Sequence, residues 1–333
     1  MKGIRFMRAL GIEHIHRVAK LRYGIPDNGL GIPESAFQNP MTLIPMSEIN
    51  VWYDRLEHET GNPDVILDIS FDADLSRIGA MSRWLLSGSD LASTIRRVNY
   101  GFTSLQNGAF LSASISGPLI KWTYQNPFVA SQSKVHDSIR IALVLTKVLR
   151  LYLGSDFSPL RVQLQGSRKN SASYQNYFGC DIEWNHSTTQ VWFHADLRLA
   201  TMQKTRVQIG PLAMNYSDLD ELLNMPDAED EIKVIYEILN YSRHHGLPTI
   251  GLVSRLLGLS TQQFQRRLRS LGMNFTTVSG YVMSNIAVEM MRRGLPPEDI
   301  CLKLGYQNQG SFSRMFKKQR GLTPSQYKQR YFT

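Results

Sequence analysis

The chain has 333 residues, 42% of them hydrophobic, with 37 Lys and Arg against 28 Asp and Glu, a net charge of +9 and two cysteines. That length and apolar share exclude a disordered or repetitive chain and leave enough residues ahead of the C-terminal hundred for a separate buried core. The charge is uneven: Glu231 to Thr333 carries 15 Lys and Arg against 5 Asp and Glu, a net +10, which leaves −1 for residues 1–230. A polyanionic partner accounts for such a split, because each cation placed on a phosphate releases condensed counterion. A basic face kept for solubility accounts for it equally well, so the motifs must decide.

Met1 to Tyr23 carries Lys2, Arg5, Arg8, Arg17, Lys20 and Arg22 among scattered apolar residues. With no uninterrupted apolar stretch and no small-residue cleavage site, it does not read as a signal peptide. Helical patterns are expected over Met46 to Thr60, Leu75 to Leu86 and Asp90 to Tyr100. Phe110 to Ser116 and Leu119 to Tyr124 alternate on either side of Gly117-Pro118, which predicts a hairpin. Val135 to Leu153 is the most apolar stretch, broken by Asp137, Arg140, Lys147 and Arg150. It predicts an amphipathic helix and no membrane span. Arg161 to Gln165 predicts a single strand. Cys180 to Trp184 and Gln190 to His194, flanking the polar Asn185 to Thr189, predict a second hairpin. Residues 1–205 are thus expected to form a mixed α+β domain, followed by a polar linker at 206–230.

Little in this front region points to catalysis. Trp84, Phe102, Phe110, Trp122, Tyr124, Tyr177 and Trp192 are candidate walls for a small-molecule pocket, but each taken singly reads better as core. No effector contact is assigned. A thiol enzyme built on Cys180, Asp181 and His194 is the strongest catalytic arrangement available. Strand alternation puts Cys180 and Asp181 on opposite faces, against that arrangement. Cys180 and Cys301 read as buried reduced thiols, and the eight histidines form no ligand-like set. No glycine-rich phosphate loop or nucleophile elbow occurs, so neither a cofactor nor a metal is expected.

The C-terminal region, 231–333, reads as all-helical. Glu231 to Tyr241 places Ile232, Ile235, Tyr236 and Leu239 on one helical face, ending at His245-Gly246. Thr249 then caps a short apolar helix that Gly258 terminates, and Ser260 caps a second. Only Phe264, Leu268 and Leu271 of that second helix are apolar. The remainder, Gln262, Gln263, Gln265, Arg266 and Arg269 among it, offers the bidentate groups that match adenine and guanine edges in the major groove. Surface positions chosen for stability alone would favour Glu and Lys. Residues 249–271 therefore read as a helix-turn-helix.

The pattern recurs at 297–318. Pro297 suits a first helical turn, Ile300, Leu302 and Leu304 are apolar, Gly305 turns the chain and Asn308 caps another helix. That helix shows Gln309, Ser311, Arg314, Lys317 and Lys318 around Phe312, Met315 and Phe316. Joined by one helix over Thr276 to Met291, the two units are expected to enter successive major grooves, about 34 Å apart.

Gly258-Leu-Ser260 with Phe264-Gln-Arg-Arg-Leu268, followed by Ile300, Leu304-Gly-Tyr306, Ser311-Phe-Ser-Arg-Met-Phe316 and Gly321-Leu-Thr-Pro324-Ser-Gln-Tyr327, resembles the AraC/XylS family of bacterial transcription regulators. The resemblance covers residues 229 to 331. It implies base contacts from Gln262, Gln265 and Arg266 in the first helix and from Gln309, Ser311 and Arg314 in the second. Arg269, Lys317 and Lys318 fall where phosphate contacts fix register. Gly305, Phe312, Phe316, Pro324 and Tyr327 match structural positions. One departure stands out: Met283 occupies the place where relatives usually carry an arginine, four residues before the alanine that matches Ala287.

The front region is similar to the amino-terminal domain of the ornithine-utilisation branch of the same family. Asn62-Pro63 followed by an apolar segment that the similarity implies is a strand, Gly79 to Leu86 leading to Ser89-Asp-Leu91, Phe157-Ser-Pro-Leu160-Arg-Val, and Tyr174 to Cys180 ahead of a final hairpin carry this similarity, over roughly residues 20 to 205. It implies a sensor or oligomerisation domain. The expectation is a cytoplasmic, nucleoid-associated activator that binds promoter DNA, contacts RNA polymerase, and responds to a small-molecule effector or to homodimer formation. The alternative is a DNA-binding adaptor whose front domain takes a protein partner and no metabolite.

Overall fold

A computed structural model describes residues 3–70, 79–202, 222–227 and 229–332. The chain divides into two compact units: Arg5–Ile32 with Asn39–Met225, and Met1–Ile4 with Pro33–Gln38 and Pro226–Thr333. Most of the expected linker, and the first third of the helix expected over Leu75 to Leu86, lie outside the described residues.

In the front unit, β1 (Phe6–Arg8) pairs antiparallel with β2 (Leu43–Pro45), with Met7 opposite Ile44. Helix α1 (Glu13–Tyr23) stops at Gly24, which takes φ +64°, and α2 (Met46–Thr60) stops in the same way at Gly61. The left-handed turn at both ends is one that glycine makes without steric cost.

The segment after Asn62-Pro63 is a helix, α3 (Val65–Ser70), and not the expected strand. Asn62 explains it. Its Oδ1 accepts the Asp64 amide at 2.9 Å and its Nδ2 donates to Asp68 Oδ2 at 2.7 Å, so it starts a helical turn. A short apolar run buried on every side carries no periodicity to separate strand from helix. Helices α4 (Gly79–Leu85) and α5 (Leu91–Leu105) follow, α5 opening on a reciprocal cap between Asp90 and Ser93.

The predicted first hairpin is present as β3 (Phe110–Ser116) and β4 (Leu119–Gln125), with Ser116 opposite Leu119. Helix α6 (Lys134–Leu153) packs on the sheet that this hairpin begins. It is buried nearly all round, so the amphipathic helix expected from its charges has almost no exposed face. Asp137 and Arg140 turn inward and pair at 2.7 Å. Asp137 also accepts from Tyr53 at 3.0 Å and Tyr124 at 2.6 Å, so both charges are paired and hydrogen-bonded inside the core.

Strand β5 (Arg161–Gln163), helix α7 (Ser171–Phe178), and strands β6 (Ile182–Glu183) and β7 (Thr189–His194) complete the sheet, whose order is β3-β4-β7-β5-β6. The expected second hairpin does not form. Val162 of β5 stands between Ile182 and Val191, pairing parallel with β6 and antiparallel with β7. The polar turn carries the chain round the end of β5 instead: Asn185 and His186 donate to the Gly166 and Leu164 carbonyls at 2.8 and 3.0 Å. Alternation identified these strands and could not identify their partners. The unit is the α+β fold expected.

The other unit is helical over its C-terminal hundred residues. Helix α8 (Glu231–Ser242) buries Val234, Ile235, Ile238, Leu239 and Tyr241. Ile232, expected on this face, is 58% exposed, because the inward stripe begins one turn later. Then come α9 (Ile250–Leu256), α10 (Thr261–Ser270), α11 (Phe275–Arg292), α12 (Pro297–Lys303), α13 (Gln309–Arg320) and α14 (Pro324–Tyr331). Helix α11 packs against α8, α12 and α13. Phe312, Phe316 and Tyr327 stack in series, with ring centroids 5.9 and 5.4 Å apart, and fix α13 against α14.

Candidate nucleic-acid interface

The two short helix pairs, α9 with α10 and α12 with α13, are each set by their ends. Thr249 accepts the Leu252 amide at 3.2 Å and starts α9. Gly258, at φ +66°, turns the chain into Ser260. Ser260 Oγ accepts the Gln263 amide at 3.2 Å while Gln263 Oε1 accepts the Ser260 amide at 2.8 Å. This reciprocal cap satisfies two helix-end amides at once. In the second pair, Gly305 turns at φ +79° and Asn308 Oδ1 accepts the Ser311 amide at 2.8 Å.

On α10 only Phe264 and Leu268 are buried. Gln262, Gln265, Arg266 and Arg269 are exposed, and their spacing of three, one and three residues places them along one face. Gln263 is exposed too, but its side-chain oxygen belongs to the cap, which leaves only its amino group to donate outward. Arg267, one position beyond Arg266, donates from Nε to Glu231 Oε2 of α8 at 2.8 Å and is tied sideways. Nothing in the sequence marked that pair.

On α13 Phe312 and Phe316 are buried and Met315 is half-buried. Asn308, Gln309, Arg314, Lys317 and Lys318 are exposed, and Ser311 is half-buried. Ser311, Arg314 and Lys318 share a face by spacing, and Arg314 Nη2 donates to Ser311 Oγ at 3.3 Å. Leu302, expected inside α12, is 71% exposed; Ile300, Cys301 and Leu304 fill that interior. Met283 is fully buried in α11. At the next two positions of α11, Arg320 Nε donates to Ser284 Oγ at 3.2 Å and Arg320 also reaches Asn285, so a cation does pair with α11, but from α13.

The expected sites thus fall on two helices of the same build: a capped N-terminus, a narrow buried stripe and a polar outer face rich in Gln, Arg and Lys. Such a helix presents bidentate donors and acceptors together with unpaired positive charge.

The residues of the thiol arrangement are not assembled in this way. Cys180 precedes β6 and His194 ends β7, with β5 between those strands. Burial first, and then the charge of Asp181, push the Cys180 thiol up to about 11. Burial also raises that of Cys301. Both directions oppose the thiolate that a nucleophile needs. Among the described residues, no three His, Cys, Asp or Glu side chains converge as a metal site, and no helix is long and apolar enough to cross a membrane.

Two families of known proteins match parts of the chain. Residues 253–330 match a helix-turn-helix domain family, and residues 28–201 match the family described as the arabinose-binding domain of AraC transcription regulator, N-term. An uncharacterized HTH-type transcriptional regulator of Mycobacterium tuberculosis is 34% identical over 90 residues, 26% of this chain and 26% of that protein. The ornithine utilization regulator of Pseudomonas aeruginosa is 24% identical over 159 residues, 47% of this chain and 46% of its own. The regulatory protein SoxS of Escherichia coli is 32% identical over 104 residues, 29% of this chain and 95% of its own. The chain therefore spans about a quarter of the first of these relatives and under half of the second.

Proposed function

The chain belongs to the AraC family of transcription regulators, and we propose that it is a sequence-specific activator whose residues 231–333 read promoter DNA with α10 and α13. The observation that carries this reading is the shared construction of the two helices, each capped, each buried by two phenylalanine or leucine side chains, each turning Gln and Arg outward. Gln262, Gln265 and Arg266 from the first, and Gln309, Ser311 and Arg314 from the second, contact base edges. Arg269, Lys317 and Lys318 meet phosphates. Asn308 and the amino group of Gln263 stand at the helix starts, where the backbone amides themselves attract phosphate.

In this proposal the front domain, 1–205, acts as the sensor. An effector or homodimer formation changes how the two helices engage successive major grooves of a promoter and how the protein meets RNA polymerase. Residues 206–230 link it to the DNA-reading domain, and the protein works in the cytoplasm on the nucleoid.

The test is selection of genomic fragments by the purified full-length protein, repeated with an Arg266→Ala, Arg314→Ala double variant. The expected result is a bipartite motif, enriched by the native protein and lost by the variant. Uniform, salt-sensitive retention of all fragments by both proteins would reduce the region to a basic surface.

A further inference from the structure

The front unit encloses a cavity of about 130 Å³ whose walls are almost wholly apolar. Met81, Leu85, Val98, Phe102, Leu145 and Val148 are among the residues that form them, from α4, α5 and α6. Of the seven aromatic residues considered as pocket walls, only Phe102 lines it. Trp122 and Tyr124 are fully buried elsewhere in the core, and Phe110 is 63% exposed. Leu10, Leu105 and Val144, which also line it, are half-buried.

Two polar side chains face this space, Gln106 and Arg140, and both are buried. Arg140 has five N–H groups to place. Its Nε donates to Tyr53 Oη at 2.9 Å. Its Nη2 donates to Asp137 Oδ1 at 2.7 Å and Gln106 Oε1 at 3.1 Å. One Nη1 hydrogen is directed to the Gly11 carbonyl at a long 3.4 Å. The second Nη1 hydrogen has no acceptor among the described residues. A buried donor in that condition carries an uncompensated desolvation cost that a ligand oxygen would remove.

The charge of the site narrows the ligand. Asp137 already neutralises Arg140, so an incoming carboxylate would bring a third, unpaired charge into the core. A sugar such as arabinose, which the family description names, would bury several hydroxyls against walls that offer no partners for them. An apolar cavity of about 150 Å³ is known to take benzene, which sets the scale of what fits here.

We propose that this cavity binds a small, neutral, largely hydrocarbon molecule about the size of one six-membered ring, oriented by a single carbonyl oxygen toward the Nη1 group of Arg140. This deepens the sensor reading of the front domain by giving its ligand a chemical class.

Thermal unfolding of the full-length protein in the presence of cyclopentanone, benzene, benzoate or L-arabinose tests it. Cyclopentanone and benzene each have six heavy atoms and differ in the carbonyl. Cyclopentanone is expected to raise the front unit's Tm by roughly 2–4 °C at about five times its Kd. Benzene should give a smaller shift, and benzoate and arabinose none. A Val144→Phe variant fills the cavity and should abolish the shift. A Val144→Ala variant removes two methyl groups from the wall and should move the preference from cyclopentanone to the larger cyclohexanone. The proposal is overturned if arabinose or benzoate gives the largest shift, if benzene equals cyclopentanone, if neither cyclopentanone nor benzene has an effect, or if neither variant alters the ranking. Fragment selection on the same preparation without any probe reads the DNA-binding proposal separately, so either can fail while the other stands.

Discussion

Arg267 of α10 donates through Nε to Glu231 of α8 at 2.8 Å, while its neighbour Arg266 has its side chain exposed on the polar face of the same helix. The first reading helix therefore divides its arginines by role. Arg266→Ala, and likewise Arg314→Ala on α13, should weaken binding to the cognate site by about 1–3 kcal/mol and relax base preference at one position. Arg267→Ala should leave base preference intact and cost roughly 0.5 kcal/mol of stability, since the pair is partly solvated. Competition binding against single-base variants of the selected site separates these outcomes. A local loss of preference in Arg267→Ala would reverse the assignment.

Lys317 and Lys318 extend from the last turns of α13 with exposed side chains. If Lys317 contacts a phosphate, Lys317→Ala should weaken binding to every sequence alike and reduce the slope of log K against log salt by about 1. Affinities measured between low and moderate salt give that slope directly. An unchanged slope would remove Lys317 from the phosphate-contacting set.

The C-terminal unit was legible because its signals are local. Thr249, Ser260 and Asn308 cap within three residues, and Gly258 and Gly305 turn the chain at positive φ. The front unit was less so because its decisive contacts are long-range. Asp137 and Arg140 read as breaks in an apolar stretch, yet they are held by Tyr53 and Tyr124, which come from α2 and β4. Nothing short-range announces that partner set. The place of β5 between β6 and β7 is of the same kind: two alternating segments around a polar turn look like a hairpin until a third strand takes the place between them.

Gly305 offers a test of the second turn. It holds φ +79°, and an added Cβ would lie 2.4 Å from the Leu247 nitrogen and 2.5 Å from the Gly246 carbonyl carbon. Both are backbone atoms that cannot step aside. Gly258 has a similar φ of +66° but open space around it. Gly258→Ala should cost only the conformational penalty of about 1–2 kcal/mol. Gly305→Ala should cost about 3 kcal/mol or more, because the clash adds to that penalty. Denaturant unfolding of the two variants compares them, and equal losses would mean that the tight approach at Gly305 contributes nothing.

His136 sits inside the front unit with Nε2 2.8 Å from Glu57 Oε2 and Nδ1 3.1 Å from Arg168 Nη2. Burial first, and then the Arg168 charge, prevail over the Asp54 and Asp137 carboxylates, which favour a charged ring, and push the imidazole down to about 4. Between that value and the ordinary histidine value near 6.5, the unfolded chain takes up a proton that the folded chain refuses. Stability from this group is therefore complete above about pH 6.5, falls as the pH drops toward 4 and levels off below it. One pH unit corresponds to about 1.4 kcal/mol, so roughly 2 kcal/mol should be lost between pH 7 and pH 5. His244 of the other unit, pushed down to about 2 mainly by burial, works in the same direction there. The check is denaturant unfolding of the native protein and His136→Gln at both pH values, following the front unit. The variant should lose less stability on acidification than the native protein. A pH dependence identical in the two would show that His136 takes up its proton in the folded chain as readily as in the unfolded one, and that burial and Arg168 do not hold it off.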